Sequence, residues 1–203
     1  MQMSKYNKIP KVELHLHLDC SLSFDVVNRI NPLIEIDEYR SSFQAKPNSS
    51  SLNDYINCAD RAIEPMQTRE NLELVVEDLF KQLKKENVIY AEIRFAPLLH
   101  CSQKLDENKV VEIICNKAKI ESEKNDINYG LILCTLRHYS KKQSLKTVRL
   151  VNQYKNNGVV GFDIAADEAG YPLDNHIQAF NYAKSNGLNI TAHAGEAKGP
   201  ESI

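Results

Sequence analysis

Val12-Glu13-Leu14-His15-Leu16-His17-Leu18-Asp19 sets two imidazoles two residues apart in a largely apolar run. Successive side chains of a strand point to opposite faces, so a strand over 11–18 places His15 and His17 on one face, one pleat apart. Two rings so placed can grip a single metal ion. Near the other end, Ile190-Thr191-Ala192-His193-Ala194-Gly195-Glu196 offers a third imidazole and, three residues on, a carboxylate. A catalytic zinc takes nitrogen or carboxylate ligands and keeps one position for water, whose pKa it lowers toward neutrality. His15, His17 and His193 are therefore the candidate ligands of one zinc ion, with Glu196 as a proton shuttle beside it. Each piece alone has a plainer reading: an H-x-H can be a packing pair, a lone histidine a rim residue, a lone glutamate a loop carboxylate. The two stretches together carry the metal reading.

Working outward, the chain alternates strand and helix. Strands are expected over 11–18, 88–95, 131–136, 158–164 and 188–192, several of them almost wholly apolar. Between them, Thr68, Ser144 and Asp174 read as helix starts, Ser51-Leu52-Asn53-Asp54 as a capping box, 106–124 as an amphipathic helix, and Gly187 as a helix stop. The cluster Asn48-Ser49-Ser50-Ser51 reads as a loop. Apolar strands separated by helices imply a parallel sheet covered on both faces. An open nucleotide-binding sheet would carry a glycine-rich loop after its first strand; here Leu18-Asp19-Cys20-Ser21 stands there instead. The polar residues fall at carboxyl ends of strands: His17 and Asp19, Arg94, Arg137 and His138, Asp163 and Asp167. That is the rim on which (β/α) barrels build their sites. The expected fold is α/β, a (β/α) barrel with about five of its eight strands present. With 203 residues, and roughly seventy of them between the first two strands, the barrel is not expected to close. Open edges and exposed apolar faces should follow.

The net charge is −2, from 25 basic and 27 acidic residues, and no basic stripe supports nucleic-acid binding. No apolar run is long enough for a membrane span, and the N-terminus lacks a signal-peptide core. The five cysteines are scattered and form no C-x-x-C pair, which points to reduced thiols in the cytoplasm. His100 and His176 read as structural histidines, and His138 as a structural or pocket residue.

These stretches are recognisable as a set. The opening, Pro10 to Asp19, closely resembles that of adenosine deaminases, and Thr191-Ala192-His193-Ala194-Gly195-Glu196-Ala197 resembles their second metal motif. Glu92-Ile93-Arg94-Phe95-Ala96-Pro97, Leu133-Cys134-Thr135-Leu136-Arg137-His138 and Asp163-Ile164-Ala165-Ala166-Asp167-Glu168 fall in family order between them. The resemblance covers residues 1–203 as a single domain, truncated at its C-terminal side. It implies an eight-stranded barrel with one zinc ion, hydrolysing adenosine to inosine and ammonia. It further implies His15, His17 and His193 as zinc ligands, Glu196 as proton donor to the purine, His17 and Asp19 as substrate contacts with Asp19 on the ribose, and Ala166 as the residue whose backbone N–H faces a purine nitrogen. A metal-activated water with a non-ligand glutamate is the general logic of zinc deamination.

Three departures bear on function. Cys20 and Ala166 stand where the family has glycine, so Cys20 should narrow the pocket or strain its turn, and Ala166 should set a methyl beside the purine. The family's later strands carry a further histidine and two aspartates, one of them a zinc ligand, that have no counterpart within 1–203. The 203 residues are thus expected to bind zinc weakly and to turn over poorly by themselves, with a separate C-terminal fragment as a candidate partner beside the adenosine or related purine nucleoside. The alternatives are an adenine deaminase, which tends to carry Glu in place of Asp19, and a non-catalytic remnant.

Overall fold

The computed structural model describes residues 5–45, 52–102 and 104–203. Five strands, β1 (Lys11–His17), β2 (Val88–Phe95), β3 (Asn128–Leu136), β4 (Val159–Ala165) and β5 (Asn189–Ile190), form one sheet. They lie side by side in chain order, and every neighbouring pair is parallel. A doubly wound sheet would reverse its strand order at a switch point; unbroken order is the winding of a (β/α) barrel. The molecule is a partial barrel. Among the described residues it is unclosed, with β1 and β5 as its edges. The expected exposure follows: Val12 and Leu14 on β1 are 54% and 59% exposed, and Ile190 on β5 44%.

Four α-helices lie in the long first connection: α1 (Phe24–Ile30), α2 (Ile36–Ser42), α3 (Leu52–Ile63) and α4 (Arg69–Lys85). Beyond β2 each strand is followed by one helix, α5 (Glu107–Asn125), α6 (Lys141–Tyr154) and α7 (Ile177–Ser185). Thr68 caps α4, its hydroxyl accepting the Asn71 N–H at 3.2 Å, as the sequence predicts. The start of α6 differs from expectation. Ser140 and Gln143 form a reciprocal capping box, and Ser144 lies inside the first turns, buried, with its hydroxyl 3.0 Å from His176 Nδ1. His176 rather than Asp174 opens α7. Ser51 and the loop 48–51 fall outside the described residues, though a helix does run from Leu52.

Cross-strand register sorts the side chains by face. Phe95 sits opposite Leu133, and Leu133 opposite Phe162; all three are fully buried in the main core together with Phe80 and Leu72 of α4. Each such burial is worth about 1.5–3 kcal/mol. Alternation turns the intervening residues Arg94, Cys134 and Asp163 to the other, concave side. The same strands that make the core thus present charged groups to the interior of the barrel. β5 is shorter than the expected 188–192, but its ladder continues: Thr191 N–H donates to Phe162 O and His193 N–H to Ile164 O, both at 2.9 Å. This ladder delivers His193 to the rim.

Candidate metal centre

Three imidazoles from both ends of the chain meet at the carboxyl rim. His193 Nε2 lies 3.0 Å from His15 Nε2 and 3.1 Å from His17 Nε2. The rings are edge-on to one another, with centroids 4.5–5.2 Å apart. At a zinc–nitrogen bond of about 2.0–2.1 Å, two nitrogens on one tetrahedral ion stand about 3.3 Å apart. The donor set therefore already has nearly the spacing that one zinc ion requires. The ring nitrogens of these three residues form the cluster suited to a metal expected from the sequence.

The partners behind the rings support the same use. His193 Nδ1 lies 3.1 Å from Asp163 Oδ2 and 3.1 Å from Ile164 O, so its proton sits on Nδ1 and its Nε2 lone pair faces the cluster. A carboxylate behind a ligand histidine fixes ring orientation and raises its basicity. Burial alone would raise the Asp163 pKa, but the hydrogen bond and charge of His193, together with Arg94, hold it below the usual carboxylate range. Burial, followed by the Arg94 charge, pushes His17 down to about 3, and burial and His193 lower His15. Unprotonated imidazoles are the form that binds metal.

Arg94 of β2 is buried at the centre of the concave side. Its Nη1 is 3.2 Å from His17 Nδ1 and 3.3 Å from Asp19 Oδ1, its Nε is 3.3 Å from Asp163 Oδ2, and its Nη2 donates to Cys134 Sγ at 2.7 Å. Burial opposes the charge, but Cys134 and then the two carboxylates, Asp19 and Asp163, outweigh it and raise the guanidinium pKa.

Glu196 lies in the exposed loop after His193, near enough for its charge to act on His15. That loop is tied down by Glu168. One carboxylate oxygen accepts the Gly195 N–H at 2.9 Å and the Ser202 hydroxyl; the other accepts the N–H groups of Ala197 at 2.8 Å and Lys198 at 3.3 Å. These donors lower the Glu168 pKa to about 2. Arg137, just past β3, donates to His193 O at 2.9 Å and pairs with Glu168 at 3.5 Å. Sequence reasoning named Arg94, Arg137, Asp163 and Glu168 only as rim or motif residues. The signal available was a single charge inside an apolar strand, as in Ile93-Arg94-Phe95 and Phe162-Asp163-Ile164.

Asp19 is brought beside His17, but it is 2% exposed. Its Oδ1 is engaged by Arg94 and its Oδ2 accepts the Ala96 N–H at 3.2 Å. Ala166 lies at the end of β4 with φ +80°, the left-handed region that favours glycine. Cys20 is not strained; it sits exposed in a short 3-10 turn with an ordinary φ, its thiol 3.9 Å from Asp19 Oδ1. His100 and His176 are buried away from the rings, the latter bonded to Ser144 and to Arg137 O, and exposed His138 packs on Tyr139 and Tyr171.

The structure superposes on Arabidopsis ADAL complexed with IMP with a TM-score of 0.82 at 22% identity, covering 98% of this chain and 62% of that one. It matches an amidohydrolase from Burkhoderia ambifaria, solved with bound Zn, with a TM-score of 0.79 at 19% identity, over 96% and 56%. The fold is the (β/α) barrel of these two structures, present here in part, with a histidine-lined centre on the carboxyl rim. A family model for adenosine deaminase matches residues 10–203. The adenosine deaminase of Clostridium acetobutylicum is 40% identical over 96% of this chain and 60% of its own length, and adenosine deaminase 1 of Streptomyces coelicolor 35% identical over 98% and 53%. The chain belongs to the adenosine deaminase family. It spans somewhat over half the length of these curated relatives.

Proposed function

We propose that these residues form the zinc-holding part of an adenosine deaminase, which hydrolyses adenosine to inosine and ammonia. The observation that carries this reading is the meeting of three Nε2 atoms at zinc-like spacing with Glu196 on the loop beside them. His15, His17 and His193 would hold the ion. Zinc, when bound, supplies an acidified water for addition at the amino-bearing carbon of the purine. Glu196 holds a proton for the purine ring nitrogen, so that the carbon accepts the water and the amine leaves as ammonia. The Ala166 N–H faces a second purine nitrogen and sets the ring's orientation. Glu168 and Arg137 keep Glu196 in reach by fixing its loop.

The strands needed to close the sheet along β1 and β5 come from further polypeptide, continuous with this one or separate. Asp19 in place of Glu favours the nucleoside over adenine. Among the described residues no helix is long and apolar enough to cross a membrane, and none of the five cysteines is in a disulfide, which fits a cytoplasmic setting.

The test measures ammonia release from adenosine and from adenine, with zinc, by this chain alone and joined to the C-terminal part of a relative. Adenosine turnover by the joined protein is expected, falling at least about 100-fold in Glu196→Gln with zinc content unchanged. Preference for adenine, or full activity in Glu196→Gln, would overturn the assignment.

A further inference from the structure

We infer that His176, held by Ser144, is a positioning residue for the metal centre, acting through Arg137 on His193 and on the loop that carries Glu196. This rests on the metal reading above and extends it from the rim to α6 and α7.

Arg137, buried just past β3, ties together the ends of β4 and β5 and the start of α7. Its N–H donates to Ala165 O at 2.9 Å. Its Nη2 donates to His193 O at 2.9 Å and lies 3.5 Å from Glu168 Oε1. Its own carbonyl accepts from His176 Nε2 at 3.1 Å. The guanidinium thus holds the backbone of a proposed zinc ligand and the carboxylate that orders the Glu196 loop. Where that guanidinium points follows from the backbone of Arg137, and the carbonyl of that backbone rests on one imidazole.

Hydrogen-bond chemistry fixes how that imidazole faces. A carbonyl only accepts, so the ring proton of His176 sits on Nε2. Nδ1 is then a bare acceptor, and the Ser144 hydroxyl, 3.0 Å away, donates to it. With both nitrogens engaged, the ring cannot flip or change tautomer without breaking a bond. Both side chains are fully buried, and burial lowers the His176 pKa, in keeping with a ring that carries one proton. His176 opens α7, yet its side chain does not cap the helix. Serine, threonine, aspartate or asparagine would cap it, and an apolar side chain would fill the space without desolvating an imidazole. The histidine supplies something else at this place: a donor for Arg137 O and an acceptor for Ser144, on one rigid ring.

The experiment compares the full chain with His176→Leu, His176→Gln and Ser144→Ala. Gln keeps a donor for Arg137 O, and Leu does not. Zinc affinity is read by competition with a chromophoric chelator, metal geometry by visible absorption of the cobalt-loaded forms, and the metal-free forms by amide exchange. NMR of the imidazole nitrogens in the parent should show His176 protonated on Nε2. His176→Leu should weaken zinc binding about 3–10-fold, the scale of one lost hydrogen bond, and shift the cobalt bands, with His176→Gln restoring most of both. The amides of Gly195 and Ala197 should lose protection in His176→Leu while those of β2 keep theirs. Unchanged zinc affinity and cobalt spectrum in His176→Leu, with only Tm lowered, would make the ring purely structural and overturn the inference; so would a ring protonated on Nδ1. A parent chain that binds no zinc would overturn the metal reading instead, and amide exchange would then decide whether His176 places the loop. Should His176→Leu fail to fold, Ser144→Ala decides on the same readouts: weakened zinc binding supports the pair, and unchanged binding overturns it.

Discussion

Glu168 accepts the backbone N–H of Ala197 at 2.8 Å, and this one contact ties the loop after β5 to the end of β4. With Gly195, Lys198 and Ser202 also bound to it, the glutamate satisfies a turn that a short strand cannot organise by itself. The loop carries Glu196, so order at Glu168 becomes geometry at the proposed proton donor.

Glu168→Gln keeps the shape but loses an acceptor and the charge, while Glu168→Ala loses every bond. The Ala variant should cost about 1–3 kcal/mol and the Gln variant less, since several part-buried hydrogen bonds to a charged acceptor are lost. Hydrogen exchange checks this directly: the amides of Gly195, Ala197 and Lys198 should lose protection, while those of β3 keep theirs. Unchanged protection would mean that the loop is held by something else.

Ala166 pays a backbone penalty of about 1–2 kcal/mol for its φ of +80°. Glycine removes the strain and restores about 0.5–1 kcal/mol of unfolded-state entropy cost. Ala166→Gly should therefore raise stability by up to about 1 kcal/mol, a rise in Tm of about 2–4 °C. It should also remove a methyl from the proposed purine side. A fall in Tm by calorimetry would contradict this account.

Burial lowers the pKa of both His100 and His176, neither of which is a proposed ligand. Each is neutral in the fold and protonates in the unfolded chain below about pH 6.5. The unfolded state then binds more protons, so stability falls as pH falls below that value and is flat above it. Asp163 and Glu168, with lowered pKa values, keep their contributions until about pH 4.5 or below. Urea midpoints of the metal-free protein should drop between about pH 7.5 and 5.5, with each histidine contributing at most about 1.4 kcal/mol per pH unit. The drop should be smaller in His176→Gln. A flat profile would show that these rings protonate freely.

Much of this was legible in the sequence because it follows from periodicity. The H-x-H alternation put His15 and His17 on one face, β2 spans 88–95 as its apolar run indicates, and rim residues fall at strand ends. What was hidden depends on contacts between distant segments. Ser144 looks like a helix cap, but Ser140 with Gln143 makes the better one, and Ser144 is spent on His176. A lone charge in the apolar run Phe162-Asp163-Ile164 marks Asp163 as unusual, but its task shows only when β5 places His193 against it. Glu168 reads only as the last residue of the Asp163–Glu168 motif until the chain returns 27 residues later to donate to it. The burial of Asp19 likewise depends on Arg94, 75 residues away.

The central claim is that His15, His17 and His193 share one zinc ion. Zinc-edge X-ray absorption on the purified, zinc-loaded chain tests it most directly. The account predicts nitrogen or oxygen ligands at about 2.0–2.1 Å with outer-shell scattering from three imidazoles, reduced to two in His193→Ala. A sulfur ligand at about 2.3 Å, or a spectrum indifferent to His193→Ala, would contradict it.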